Sequence, residues 1–374
     1  MTLEIPPATP PHPPVDRLSR LLAFLQQDQS NDALRVDAFE TAFASADLAV
    51  AAELIKQAEQ LHSSPEMWRM RAANLAIAQG QYTEAENILI GLRDQFGEHP
   101  AFAQNLGLIA SFRGDHQACF EEIKNWADVE PAAEIDDGLQ DLWLRCLHHL
   151  GQLELALQWT EERKAATTLS LRALGIASLI AVDADKLDQA KEWSEQARQG
   201  GAISVEVLLT ASAIALLEQK GNEAQNFAQQ VLQVQNNNGR AWSSLGLAQM
   251  LNLNLVTARA SLEQATHYMP SHIGTWHVLG WACLLAKDFP AAERAFDAAL
   301  ELDHNFGETY GGLAVISAMQ GQTTVAKEHV RRAEGLDPTG LSAQYAQALL
   351  DGSVKDGPSI RQFARKLMIS SRRN

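Results

Sequence analysis

Apolar residues recur along the chain at spacings of three and four, the signature of short amphipathic helices. The stretch GTWHVLGWACLLAKDFPAAERAFDAALELD, residues 274 to 303, holds two such helices hinged at Lys287 and Asp288. The same pattern returns every 34 residues, in units starting at 32, 66, 100, 137, 171, 205, 239, 273 and 307. Three extra residues, Glu134 to Asp136, interrupt the step before the unit at 137. The twentieth position of the units reads Ala51, Ala85, Cys119, Ala156, Ala190, Ala224, Ala258, Ala292 and Ala326. A small side chain in that column is what two closely crossing helices require. Seven positions on, small residues return at Ala58, Ala197, Ala265, Ala299 and Ala333, and Gly80, Gly114, Gly151 and Gly321 mark turns between helices.

On these residues the chain resembles the tetratricopeptide repeat (TPR) family. AWSSLGLAQM and TWHVLGWACL place Trp, Leu and Gly at the family's fourth, seventh and eighth positions, and Pro131, Pro270 and Pro338 fall at its thirty-second. The middle units depart from it, with Leu144, Ser178 and Ser212 in place of the small glycine and Gly221 late in its turn. The resemblance implies an all-α fold, a right-handed α-solenoid (superhelix) of TPR helix hairpins spanning residues 32–340. The 34-residue step and the acidity disfavour a pentatricopeptide array, which reads RNA at a step of 35.

The ends follow a different logic. Six prolines within residues 1–14 exclude a helix and predict a disordered leader. Residues 15–31 place Leu18, Leu21, Leu22 and Leu25 on one face, which suits an N-terminal capping helix. Residues 341–374 read as a C-terminal capping helix followed by a basic amphipathic tail, with Ile360, Phe363, Ala364, Leu367 and Met368 on one face.

Charge and composition narrow the function. A net charge of −16 argues against nucleic acid as the main partner. The chain shows neither a secretory signal nor a stretch apolar enough for stable membrane insertion, so a cytoplasmic protein is expected. The three cysteines, Cys119, Cys146 and Cys283, lie in core columns without CxxC spacing, and adjacent His148 and His149 diverge by about 100° on a helix, so no metal and no other cofactor is expected. GxSxG, HExxH and Gly-rich phosphate loops are absent from the sequence, which reads as that of a non-enzyme.

The resemblance implies that the first helix of each hairpin lines a concave groove through its positions 2, 5, 9, 12 and 13. Trp276, at position 4, is then a core residue, and Trp281, at position 9, faces the groove. The groove columns carry an apolar stripe of Leu179, Val182, Leu209, Leu216, Leu247, Met250, Trp281, Leu284 and Val315, and a polar set of Arg71, Asn74, Asn105, Arg145, His148 and His149. Left bare, the stripe exceeds the apolar surface usual on monomers. A partner's apolar helix or peptide, the chain's own basic tail, or tight packing of neighbouring first helices can each cover it. The reading is a protein-binding adaptor or chaperone, with a structural subunit of a larger assembly as the alternative. A bacterial secretion or surface-assembly pathway enters by family analogy alone.

Overall fold

Most helices begin at a polar residue able to accept from their first free N–H groups. A computed structural model describes residues 14–61 and 65–354 of the chain. In it, Asn31, Ser170, Ser204, Asn238 and His272 accept from the backbone N–H three residues on, as do Asp47, Asp115 and Asp288. Each such cap contributes about 1 kcal/mol.

The described residues form twenty α-helices and no strand. After α1 (Pro14–Gln27), the first helices of the repeats are α2 (Asp32–Ala44), α4 (Pro65–Ala78), α6 (Pro100–Phe112), α8 (Asp137–His149), α10 (Leu171–Asp183), α12 (Val205–Leu217), α14 (Gly239–Leu251), α16 (Ile273–Leu285) and α18 (Gly307–Met319). Their second helices are α3 (Leu48–Gln60), α5 (Tyr82–Phe96), α7 (His116–Ala127), α9 (Leu153–Ala165), α11 (Leu187–Gln199), α13 (Gly221–Val234), α15 (Leu255–Tyr268), α17 (Phe289–Leu302) and α19 (Thr323–Leu336). The last described helix is α20 (Leu341–Leu350). The proline-rich leader, apart from its last residue Pro14, and the basic amphipathic tail from residue 355 onward lie outside the described residues.

The twentieth-position column is sealed from solvent in every repeat: all eight alanines and Cys119 have zero exposure. The turn before it is equally uniform. Ala46, Gly80, Gly114, Gly151, Asp185, Gln219, Leu253, Lys287 and Gly321 occupy one equivalent position, and all nine have φ between 56° and 78°. Only four are glycines, so five ordinary side chains are held in the left-handed region at a cost of about 1 kcal/mol or more each. The backbone geometry of the hairpin recurs where its glycine signal does not.

The chain divides into two compact units after Gln152. In the first, α1 buries Leu18 and Leu25 against Phe39, Ala42 and Leu54. Trp68 stands edge-on to Phe39 at 5.9 Å and donates its indole N–H to Asp32. In the second unit the largest core gathers around Phe296 of α17, whose ring fills the space left by Gly280 and Gly312, where an added Cβ would stand 2.6 Å from it. The residues that replace the family glycine in this unit satisfy their hydroxyls on backbone: Ser178 donates within α10 to the Gly175 carbonyl at 2.6 Å, and Ser212 donates across the hairpin to the Ala224 carbonyl of α13 at 3.0 Å.

Candidate functional site

The first-helix faces carry a cavity in each unit. In the second unit a cavity of about 500 Å³ is walled by Leu179 and Val182 of α10, Leu209 and Ala213 of α12, Leu247 of α14 and Val278 of α16. Four of the nine apolar candidates thus meet around one space. Its polar edge is Arg240, which grips Asp183 through two bonds of 2.8 and 2.6 Å, together with Ser243, Ser244 and His272. Leu216 packs against Leu247 and Ala248 beside this space.

The other four apolar candidates do not line the cavity. Met250, Trp281, Leu284 and Val315 belong to the core around Phe296. Trp281 is only 4% exposed, edge-on to Phe296 at 6.2 Å, with its Nε1–H directed at His277 Nε2 at 3.4 Å. Trp276, expected in the core, is half-buried, and its indole N–H reaches the Pro270 carbonyl at 2.8 Å. Trp276 still packs against the core around Phe296, whereas Trp281, expected in the groove, is sealed within that core. The reason lies beneath them: Gly280 lets Phe296 approach α16 closely, and Trp281 and His277 close over that ring. His277 is buried, which pushes its pKa down to about 4 against a weaker opposing pull from the Glu308 carbonyl.

In the first unit the cavity is larger, about 790 Å³. Phe43, Ile77 and Leu108 of three successive first helices form one wall, and Trp126, Val129, Ile135 and Leu139 form the other. The second wall exists because the link from α7 to α8, residues 128–136, is nine residues long, against four between α13 and α14. The link is pinned by Ala133 N–H on the Glu130 carbonyl (2.8 Å), by Gln140 on the Ile135 carbonyl (3.2 Å) and by Gln104 on the Asp136 carboxylate (3.2 Å). Asp136 also caps α8 through Gly138 N–H at 2.8 Å. The three residues that break the 34-residue step are thus wall and rim of a cavity. This role was visible in the sequence only as an interruption.

The polar candidates divide between this cavity and its surroundings. Asn74 and Asn105 line it, Asn105 Nδ2 donating to Asn74 Oδ1 at 3.0 Å. Arg71 lies outside the cavity lining, tied to Glu40 at 2.8 Å and set over the rings of Trp68 and Phe39. Arg145, His148 and His149 are also outside the lining. His149 stacks on His116 with ring centres 4.1 Å apart, and burial together with His116, His148 and Arg145 holds its pKa below the usual histidine value. Cys119 and Cys146 are buried thiols that share a hydrogen bond, which with burial pushes the Cys119 thiol up. Among the described residues no group of three or more His, Cys, Asp or Glu is placed to hold a metal ion, and no helix is long and apolar enough to cross a membrane.

No protein-family model and no curated protein matches the sequence. Solved structures do. The human IFIT1 dimer with PPP-AAAA aligns over 96% of this chain and 92% of its own at 14% identity and a TM-score of 0.52. The human IFIT1 dimer with m7Gppp-AAAA aligns over 95% and 94% at 14% identity and a TM-score of 0.53. IFIT1 is a TPR-repeat protein, so the all-α array of hairpins described here has the TPR fold. At this identity the likeness carries the fold alone.

Proposed function

We propose that the chain is a non-enzymatic adaptor or chaperone that holds an apolar helix or peptide of a partner protein against its first-helix faces. The observation supporting this most directly is the cavity of the second unit. Its walls come from the second, fifth, sixth, ninth and twelfth positions of four consecutive first helices, nearly all of them columns through which helical-repeat proteins meet ligands. Apolar walls there favour an apolar side chain, and each large one buried contributes roughly 1.5–3 kcal/mol. The Arg240–Asp183 pair offers a polar edge that fixes the orientation of what enters.

The test is the double variant Val182→Glu, Val278→Glu, two half-buried wall residues. Proteins co-purifying with the wild type should be lost from the variant while its helical circular dichroism is retained. Unchanged partners on a folded variant would remove the groove as the binding site. The alternative, a subunit permanently buried in an assembly, requires the chain to aggregate when expressed alone, whereas an adaptor is monodisperse. Both fit a cytoplasmic secretion or surface-assembly role by family analogy. IFIT1 is solved with PPP-AAAA. Here a net charge of −16 and a link rich in carboxylates beside the larger cavity oppose a phosphate backbone, which favours protein over RNA.

A further inference from the structure

We infer that the cavity of the first unit is a separate binding site for a partner segment in which a bulky apolar side chain is flanked by lysine or arginine. The inference rests on the adaptor reading and adds the place and the ligand chemistry. Three observations carry it. The cavity, about 790 Å³, falls in the size range of sites that enclose a ligand, and its walls, from Phe43 to Leu139, are predominantly apolar. An apolar group entering it leaves water on both sides of the contact.

Charge sets the second requirement. The link and the first residue of α8 carry Asp128, Glu130, Glu134, Asp136 and Asp137 with no Lys or Arg, and Glu134 and Asp136 stand on the cavity lining. None of the five forms an ion pair among the described residues. Two carboxylates on the apolar opening, with three more on the same segment, repel an acidic ligand and steer a basic one toward it. The third observation concerns backbone. The Asn105-to-Asn74 bond uses one donor and one acceptor of the amide pair, which leaves a donor group, Asn74 Nδ2, and an acceptor, Asn105 Oδ1, on two residues of the lining. A peptide group, which presents one acceptor and one donor, matches that arrangement, so the occupant is a peptide segment.

The link explains why the site sits here. Gly138 lacks the Cβ that would press to 2.6 Å on Gln104 Nε2, and this lets Gln104 reach Asp136 and hold the far wall in place. A link of ordinary length would have neither Ile135 nor Glu134 to offer.

The experiment is selection of a displayed library of random dodecapeptides on the full-length protein, followed by fluorescence anisotropy of the best peptide. Enriched peptides should carry Lys or Arg next to Leu, Ile, Phe or Met. Glu134→Lys and Ile135→Ser, both at partly or fully exposed positions, should each weaken that peptide by about tenfold or more without lowering the melting temperature. Enrichment of acidic peptides, or affinity indifferent to both variants, overturns the inference. If affinity instead vanishes in Val182→Glu, Val278→Glu, the adaptor reading stands and this one falls. If no peptide is enriched, both fall. Displacement of the peptide by an equal concentration of PPP-AAAA assigns the cavity to RNA and also overturns the inference.

Discussion

The two units build their first-helix faces from one hairpin design and leave different spaces. In the first, a long link stands away from the helices and keeps about 790 Å³ open beneath carboxylates. In the second, the helices close on themselves where Phe296, Trp281 and His277 interlock, and what stays open is about 500 Å³ beside an arginine–aspartate pair. The lesson is that an apolar stripe on a repeat array is not yet a binding surface. Whether it stays open depends on what the neighbouring hairpin and the intervening link do with it.

The sharpest way to break this contrast is to empty the second unit's plug. Phe296→Ala removes a ring with zero exposure that two glycines were shaped to receive, and should cost about 4 kcal/mol. Urea unfolding followed by tryptophan fluorescence measures it, and a loss below about 1 kcal/mol would mean that the ring does not hold the core.

Acid attacks the same place. His277 has a folded pKa of about 4, below its unfolded value near 6.5, so the unfolded state binds more protons between those limits. The stabilisation is complete above about pH 6.5 and is lost as pH falls toward 4, a total on the order of 3 kcal/mol. Unfolding free energies of the wild type and His277→Gln, compared from pH 7 to 4, should show the steeper decline in the wild type.

Much of this was legible in the sequence, and the failures are instructive. The 34-residue step and the alanine column identified an all-α repeat fold because close helix crossing leaves one side-chain size possible. The fate of Trp281 was not legible, because its column number specifies a direction but not whether Phe296 waits beneath it. Nor could the extra residues Glu134 to Asp136 declare themselves a cavity wall, since an insertion carries no periodicity to read. The left-handed turns at Asp185, Gln219, Leu253 and Lys287 were hidden because the residues there do not advertise positive φ.

Those turns provide a finer comparison. The first unit has glycine at three of its four turn positions, Gly80, Gly114 and Gly151, and the second at one of five, Gly321. Gly80→Ala should destabilise the chain by about 1 kcal/mol, and Leu253→Gly, at a side chain 48% exposed, should stabilise it by up to about 1 kcal/mol. Paired thermal melts check the opposite signs. The smallest effect belongs to the polar edge of the second cavity. Arg240→Gln breaks a partly exposed pair and should change stability by less than about 1 kcal/mol while altering ligand orientation, which a binding titration beside a melt resolves.

The sealed alanine column has a consequence for how such a protein can be redesigned. With no side chain in it able to grow, the distance between the helices of a hairpin is not an adjustable variable, whereas the length of chain between hairpins is. A new pocket elsewhere in the array is best obtained by splicing a few residues ahead of a first helix, for instance into the turn from Asp303 to Phe306, and leaving the helices as they are.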